Sequence, residues 1–163
     1  MHEQYMTLIL LVAILFQIIA IATPHWSEAT MMDVEFSLGL WKGCMGDNCN
    51  KDLNDLPPDK LKSVKAVRGL SIVSLVFLSL GFICPFVTHE MSEMCGKWLI
   101  LLGALFSFIA SGVWYHNLME MGGNGVPQVK MVAGSSYYMS VMAGMLSLVV
   151  SGQLFGMDSK MSY

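Results

Sequence analysis

Residues 39–49 read Gly39-Leu40-Trp41-Lys42-Gly43-Cys44-Met45-Gly46-Asp47-Asn48-Cys49, or GLWKGCMGDNC. This short stretch combines a large aromatic, two cysteines and a run of turn-forming residues. The cysteine pair admits three chemistries: metal ligation, dithiol redox, or a covalent staple. A zinc site needs four ligands, commonly from two close pairs. Here Cys44 and Cys49 form one pair, and His25 is the only histidine in the surrounding loop. A redox dithiol normally shows C-x-x-C spacing, whereas this is C-x-x-x-x-C. A disulfide or two unpaired thiols remain. Gly46-Asp47-Asn48 favours the disulfide, because these residues tolerate the backbone angles of a tight hairpin. Such a hairpin brings two alpha carbons into bridging range. Closing so small a ring contributes about 2 kcal/mol by the loop model. Its larger implication is location, since stable disulfides form in oxidising compartments.

Working outward, Val34, Phe36 and Leu38 alternate with Glu35, Ser37 and Gly39, the period of a strand with one buried face. An isolated hairpin is marginal in water, so this one needs a surface to cover. Trp41 is the expected buried anchor, as a Trp removes a large apolar area from water and keeps one N–H to satisfy. Downstream, Pro57 and Pro58 close the segment and Asp59 can cap a helix. Leu61, Val64 and Arg68 fall on one face of that helix, which is expected to run on into the apolar stretch that follows. Arg68 then sits at its rim, where it either snorkels or ties the loop to the helices.

The chain has 163 residues, 55% hydrophobic and only 13% charged, where a soluble globular chain carries about a quarter charged residues. Charges are absent from four runs, 6–23, 69–88, 98–118 and 135–157, each near the length that crosses a bilayer core. They predict one membrane domain over 1–163, with loops 24–68 and 119–134 on one side. The first run has no Lys or Arg before it, and Pro24-His25-Trp26 is a poor cleavage context, so it reads as a retained helix. Trp26 fits an interfacial anchor at headgroup level.

Orientation is contested within the sequence. Loop 24–68 holds Lys42, Lys51, Lys60, Lys62, Lys65 and Arg68, which by the positive-inside rule favours the cytosol. The disulfide favours the exterior, and we give it the greater weight: loops outside, both termini cytosolic, in the plasma membrane. Cys84 and Cys95 then lie near the inner face, where lipidation competes with idle thiols.

Trp26, Gly39-Leu40-Trp41, Cys44, Cys49 and Arg68 together resemble the W–GLW–C–C–R signature of claudins and their relatives. These include peripheral myelin protein, the epithelial membrane proteins, channel-regulating gamma subunits and the lens-fibre intrinsic membrane protein. Ala22-Thr23-Pro24-His25-Trp26 and the short interval between cysteines look most like the lens-fibre branch. The resemblance implies a left-handed all-α transmembrane four-helix bundle carrying a small extracellular antiparallel β-sheet, with a strand lent by the second loop near Val129 to Val132. A first loop shorter than that of claudins counts against pore-lining, as does its near-balanced charge. Small residues recur in the spans, such as Ser71 and Ser74, Gly103, Ser107 and Ser111, Ser140 and Ser147; in lipid they let helices approach closely. Gln17 reads as an interhelical hydrogen-bonder.

No span offers Asp, Glu, Lys or Arg as acid, base or relay, so no enzyme is expected. Nor is a metal, a cofactor or a nucleic-acid partner. The resemblance points to cell–cell adhesion or junction organisation through the outer loops. The expected partners are membrane lipids, further copies of the chain, or related tetraspan proteins in the same or the opposing membrane. The alternative is an auxiliary subunit modulating a channel or receptor.

Overall fold

The computed structural model describes residues 2–31, 34–46, 48–51, 53, 56–87, 92–118, 120–121 and 129–161. Four helices dominate: α1 (His2–Ala22), α2 (Pro58–Val87), α3 (Ser92–Leu118) and α4 (Ser135–Met161). Each contains a window long and apolar enough to cross a membrane. α2 has 30 residues, about 45 Å at 1.5 Å per residue, which exceeds a hydrocarbon core of about 30 Å. The excess is its first turns, so the amphipathic segment after Pro58 does run unbroken into the second span. α2 and α3 pack most extensively, α4 packs on both α1 and α3, and α1 touches α2, closing a four-cornered bundle.

The burial pattern is inverted relative to a soluble bundle. Gln17, Ser71, Ser74, Ser107, Ser111, Ser140, Ser147 and Ser151 are buried, while Leu15, Val76, Leu80, Ile109 and Val149 are exposed. In lipid the outward faces must be apolar, and association then rests on close packing and interhelical hydrogen bonds. Gln17 is the hub. Its amide donates to the Ser71 carbonyl on α2 at 3.4 Å, and its side-chain oxygen accepts from Ser107 on α3 at 3.2 Å and Ser140 on α4 at 3.5 Å. The interhelical role expected of Gln17 is what the structure shows. Not every small residue turns inward: Gly69, Gly112 and Gly152 are exposed.

Among the described residues, seven strands lie at the end of the bundle where α1 finishes: β1 (Ser27–Met31), β2 (Val34–Leu38), β3 (Gly43–Met45), β4 (Asn48–Lys51), β5 (Glu120–Met121), β6 (Val129–Lys130) and β7 (Val132–Ala133). One antiparallel sheet has the order β4-β3-β2-β1-β7, and β5 pairs with β6 separately. The second loop does lend a strand to the main sheet, at the far end of the expected stretch near Val129 to Val132: Val132 and Ala133 pair with Glu28 and Ser27. The β3–β4 hairpin turns at Gly46, whose φ of 58° lies in the left-handed region that glycine adopts without a Cβ penalty. Cys44 and Cys49 are bridged there, with Cα atoms 3.9 Å apart.

Candidate functional site

The sheet meets the helices in a buried aromatic layer, and the chain's first chance to turn builds it. At the end of α1, Trp26 folds back so that its Nε1 donates to the Ala20 carbonyl at 2.6 Å. Its backbone N–H donates to the Leu38 carbonyl at 3.0 Å, and its own carbonyl accepts from Gly134 at 3.0 Å. The ring is fully buried and lies 5.0 Å from Trp114 of α3, with Tyr137 of α4 edge-on at 6.4 Å. Trp114 is also fully buried and donates to Ser27 Oγ at 2.7 Å. One indole pair thereby links α1, α3, α4 and strand β1. Trp26 is therefore a core residue and not the headgroup-level anchor expected of it.

Gly39-Leu40-Trp41 supplies the second attachment. A side chain at Gly39 would run into the Pro24 backbone, so only glycine lets β2 exit against the end of α1. Leu40 is fully buried in a cluster with Leu38, Leu53, Val64, Val67 and Ala110. Its carbonyl accepts two hydrogen bonds from Arg68, from Nε at 3.1 Å and Nη2 at 2.6 Å. Arg68 thus ties the loop to α2. Trp41, expected as the buried anchor, is 46% exposed. It lies instead across the seam, donating from Nε1 to the Ile21 carbonyl at 2.9 Å, with the Arg68 guanidinium 4.3 Å from its ring centre. Burying the indole pair Trp26–Trp114 fills the space beneath the sheet, and Trp41 is left at the rim.

A further tie joins the second loop. Ser136 Oγ sits 2.6 Å from Thr23 Oγ1 and accepts from the His25 N–H at 3.2 Å. A Cβ on Gly134 would strike the His25 carbonyl, which requires glycine where β7 passes into α4. Lys60 Nζ donates to the Asn117 carbonyl, fastening the first turns of α2 to the end of α3.

Trp114 carries no motif in the sequence because it lies within an apolar span, near its outer end. A signal was present: Ala104, Ser107, Ser111 and Trp114 recur every three or four residues, which places the indole on the small-residue face of α3.

The face of the sheet turned away from the bundle carries different chemistry. Register sets Glu28 opposite Ser37 and Thr30 opposite Glu35, with Ser37 opposite Cys44. Glu28, Thr30 and Glu35 are exposed, and they border a recess of about 370 Å³ that also meets Val132 and the cystine. His25 Nδ1 lies 3.3 Å from Glu28 at its edge. Among the described residues no three His, Cys, Asp or Glu side chains gather as a metal site. Trp26 on the Ala20 carbonyl, Arg68 on the Leu40 carbonyl and Trp114 on Ser27 together fasten a polar sheet over the membrane-spanning helices.

These features agree with what the chain is similar to. The PMP-22/EMP/MP20/Claudin family matches residues 3–155. Epithelial membrane protein 1 of Homo sapiens is 39% identical over 57 residues, 35% of this chain and 36% of that protein. The Mus musculus protein of the same name is 29% identical over 96 residues, 54% of this chain and 56% of its own length. In Rattus norvegicus the figures are 28% over 102 residues, 58% and 60%. The chain thus spans between about a third and three fifths of the length of these curated relatives. With four membrane-crossing helices, a small antiparallel sheet after the first, and a family match over nearly its whole length, the chain belongs to the PMP-22/EMP/MP20/Claudin family.

Proposed function

We propose that this multi-pass membrane protein acts in cell–cell adhesion or junction organisation, without catalysis. Its sheet faces the exterior of the plasma membrane and its termini lie in the cytosol. Its partners are further copies or related tetraspan proteins in the same or the opposing membrane. The observation that carries this reading is the double fastening of the sheet, through the buried Trp26–Trp114 pair and through Arg68 on the Leu40 carbonyl. A surface fixed in this way loses little conformational freedom when it meets a partner, and preorganisation is what separates useful interfaces from merely large ones. The exposed Glu28 and Glu35 give that surface acidic groups that can meet the exposed Lys42 of a second copy. The signature residues Trp26, Gly39, Leu40, Trp41 and Arg68, with the Cys44–Cys49 bridge, serve on this reading to shape the sheet and not to contact the partner.

Proteoliposomes test the proposal. Vesicles bearing the chain should cluster with one another, and Glu35→Arg should weaken clustering while leaving thermal unfolding in detergent unchanged. Failure of the wild-type vesicles to cluster, combined with stoichiometric co-purification of a larger channel from native membranes, would instead assign the chain as an auxiliary subunit.

A further inference from the structure

We propose that the open surface of α2 beside Arg68 is a binding site for the phosphate of a single membrane glycerophospholipid. Arg68 has five N–H donors. Nε and one N–H of Nη2 serve the Leu40 carbonyl, and Nη1 makes no hydrogen bond to the described residues. One turn earlier, Lys65 is exposed on the same face of α2. Immediately after Arg68 comes Gly69, where a Cβ would meet nothing within 4 Å. The surface beside the two cations is therefore open at Gly69, and the half-exposed ring of Trp41 lies against the Arg68 guanidinium.

Position identifies the occupant. Arg68 is the last charged residue before the uncharged run 69–88, which places its guanidinium at the depth of phospholipid phosphates. Beyond Gly69, Ile72, Val76, Leu80 and Ile83 are all 40% exposed or more and recur along one side of the helix. From Ile72 to Ile83 the stripe is about 17 Å long at 1.5 Å per residue, close to half a hydrocarbon core of about 30 Å. An acyl chain therefore fits along the stripe while its own phosphate reaches Arg68 and Lys65. A guanidinium with free N–H groups suits a phosphate through charge-assisted hydrogen bonds. A soluble anion would satisfy the cations and leave the stripe unused; a neutral lipid would do the reverse.

Native mass spectrometry of the full chain in mild detergent decides the matter, with dioleoylphosphatidylglycerol as probe and dioleoylglycerol as its phosphate-free counterpart. One phosphatidylglycerol should be retained per chain, at least about tenfold more tightly than dioleoylglycerol, the scale of a charged hydrogen bond. Arg68 also fastens the loop, so variants that keep it are used. Gly69→Leu sets a bulky side chain beside the two cations and should weaken retention by about tenfold. Lys65→Gln should weaken it by about threefold, as suits an exposed charge. Gly152→Leu, on α4 with equally open space at its Cβ, should change nothing. Equal retention of the two lipids, displacement of the lipid by an equal concentration of inorganic phosphate, or unaltered retention in a folded Gly69→Leu chain would each overturn the assignment.

Discussion

Arg68 holds the loop by a geometry that lysine cannot copy. Its Nε and Nη2 converge on one carbonyl while the guanidinium plane lies against the Trp41 ring, and only a planar fork offers both at once. We expect Arg68→Lys to cost about 1.5–3 kcal/mol, the range of a charged hydrogen bond. Proteolysis in the 39–43 segment should increase with it, as read by thermal unfolding in detergent and limited digestion. Trp114→Phe keeps the buried ring but removes the hydrogen bond to Ser27 Oγ; we expect about 1 kcal/mol, against about 3–5 kcal/mol for Trp114→Ala, which also opens a cavity. At this scale the sequence was only half legible. Gly39 and Arg68 stand out by type and spacing, and their roles need only a neighbour to become concrete. Trp26, Trp41 and Trp114 are alike as residues, and which two are buried depends on how far the chain folds back after α1. The Trp26 hydrogen bond to Ala20 settles that, and a contact six residues back along an irregular turn leaves no periodic trace.

Among elements, the β3–β4 hairpin is the most self-contained. Its bridge closes a short loop, so removing it relaxes the denatured chain only by about 2 kcal/mol, and the hairpin lies at the sheet's edge in the order β4-β3-β2-β1-β7. Cys44→Ser combined with Cys49→Ser should therefore raise hydrogen exchange in 43–51 strongly while leaving the Trp26–Trp114 layer protected. Loss of protection at both would show that the hairpin supports the whole sheet. The bridge also makes orientation testable. On intact cells under non-reducing conditions, an impermeant thiol reagent should leave Cys44 and Cys49 unlabelled until a reductant is added, and should then label them without permeabilisation. Elements were the most legible level of the sequence: four uncharged runs and one alternating segment already state helix and strand, because period and length are local properties. The short strand β7 was placed about three residues early. Two-residue strands owe their existence to the partner edge, here Ser27 and Glu28, and not to their own sequence.

For the whole molecule, the bundle's cohesion lies in hydroxyls and glycines turned toward one another. Apolar side chains cover the outside and gain nothing by leaving lipid, so each interior contact counts by geometry. Two serines one turn apart on α2 separate this claim from mere small size. Ser74 Oγ donates to the Gly103 carbonyl at 2.7 Å, at the place where Leu78 would collide with any side chain on Gly103. Ser71 is equally buried, but its contribution to the Gln17 hub is its backbone carbonyl, and its hydroxyl finds no partner among the described residues. If packing volume alone mattered, Ser71→Ala and Ser74→Ala would behave alike. If hydrogen bonding between helices carries weight, Ser74→Ala should cost about 0.5–1.5 kcal/mol, the range measured for such bonds in membranes. Ser71→Ala should be neutral or stabilising, since it removes a buried hydroxyl that nothing satisfies. Gln17→Leu should cost more than Ser74→Ala, because it keeps the volume while deleting the links to α2, α3 and α4 together. Reversible unfolding in mixed micelles reads all three, and equal stabilities for the two serine variants would show that the interior is held by shape and not by its polar hub.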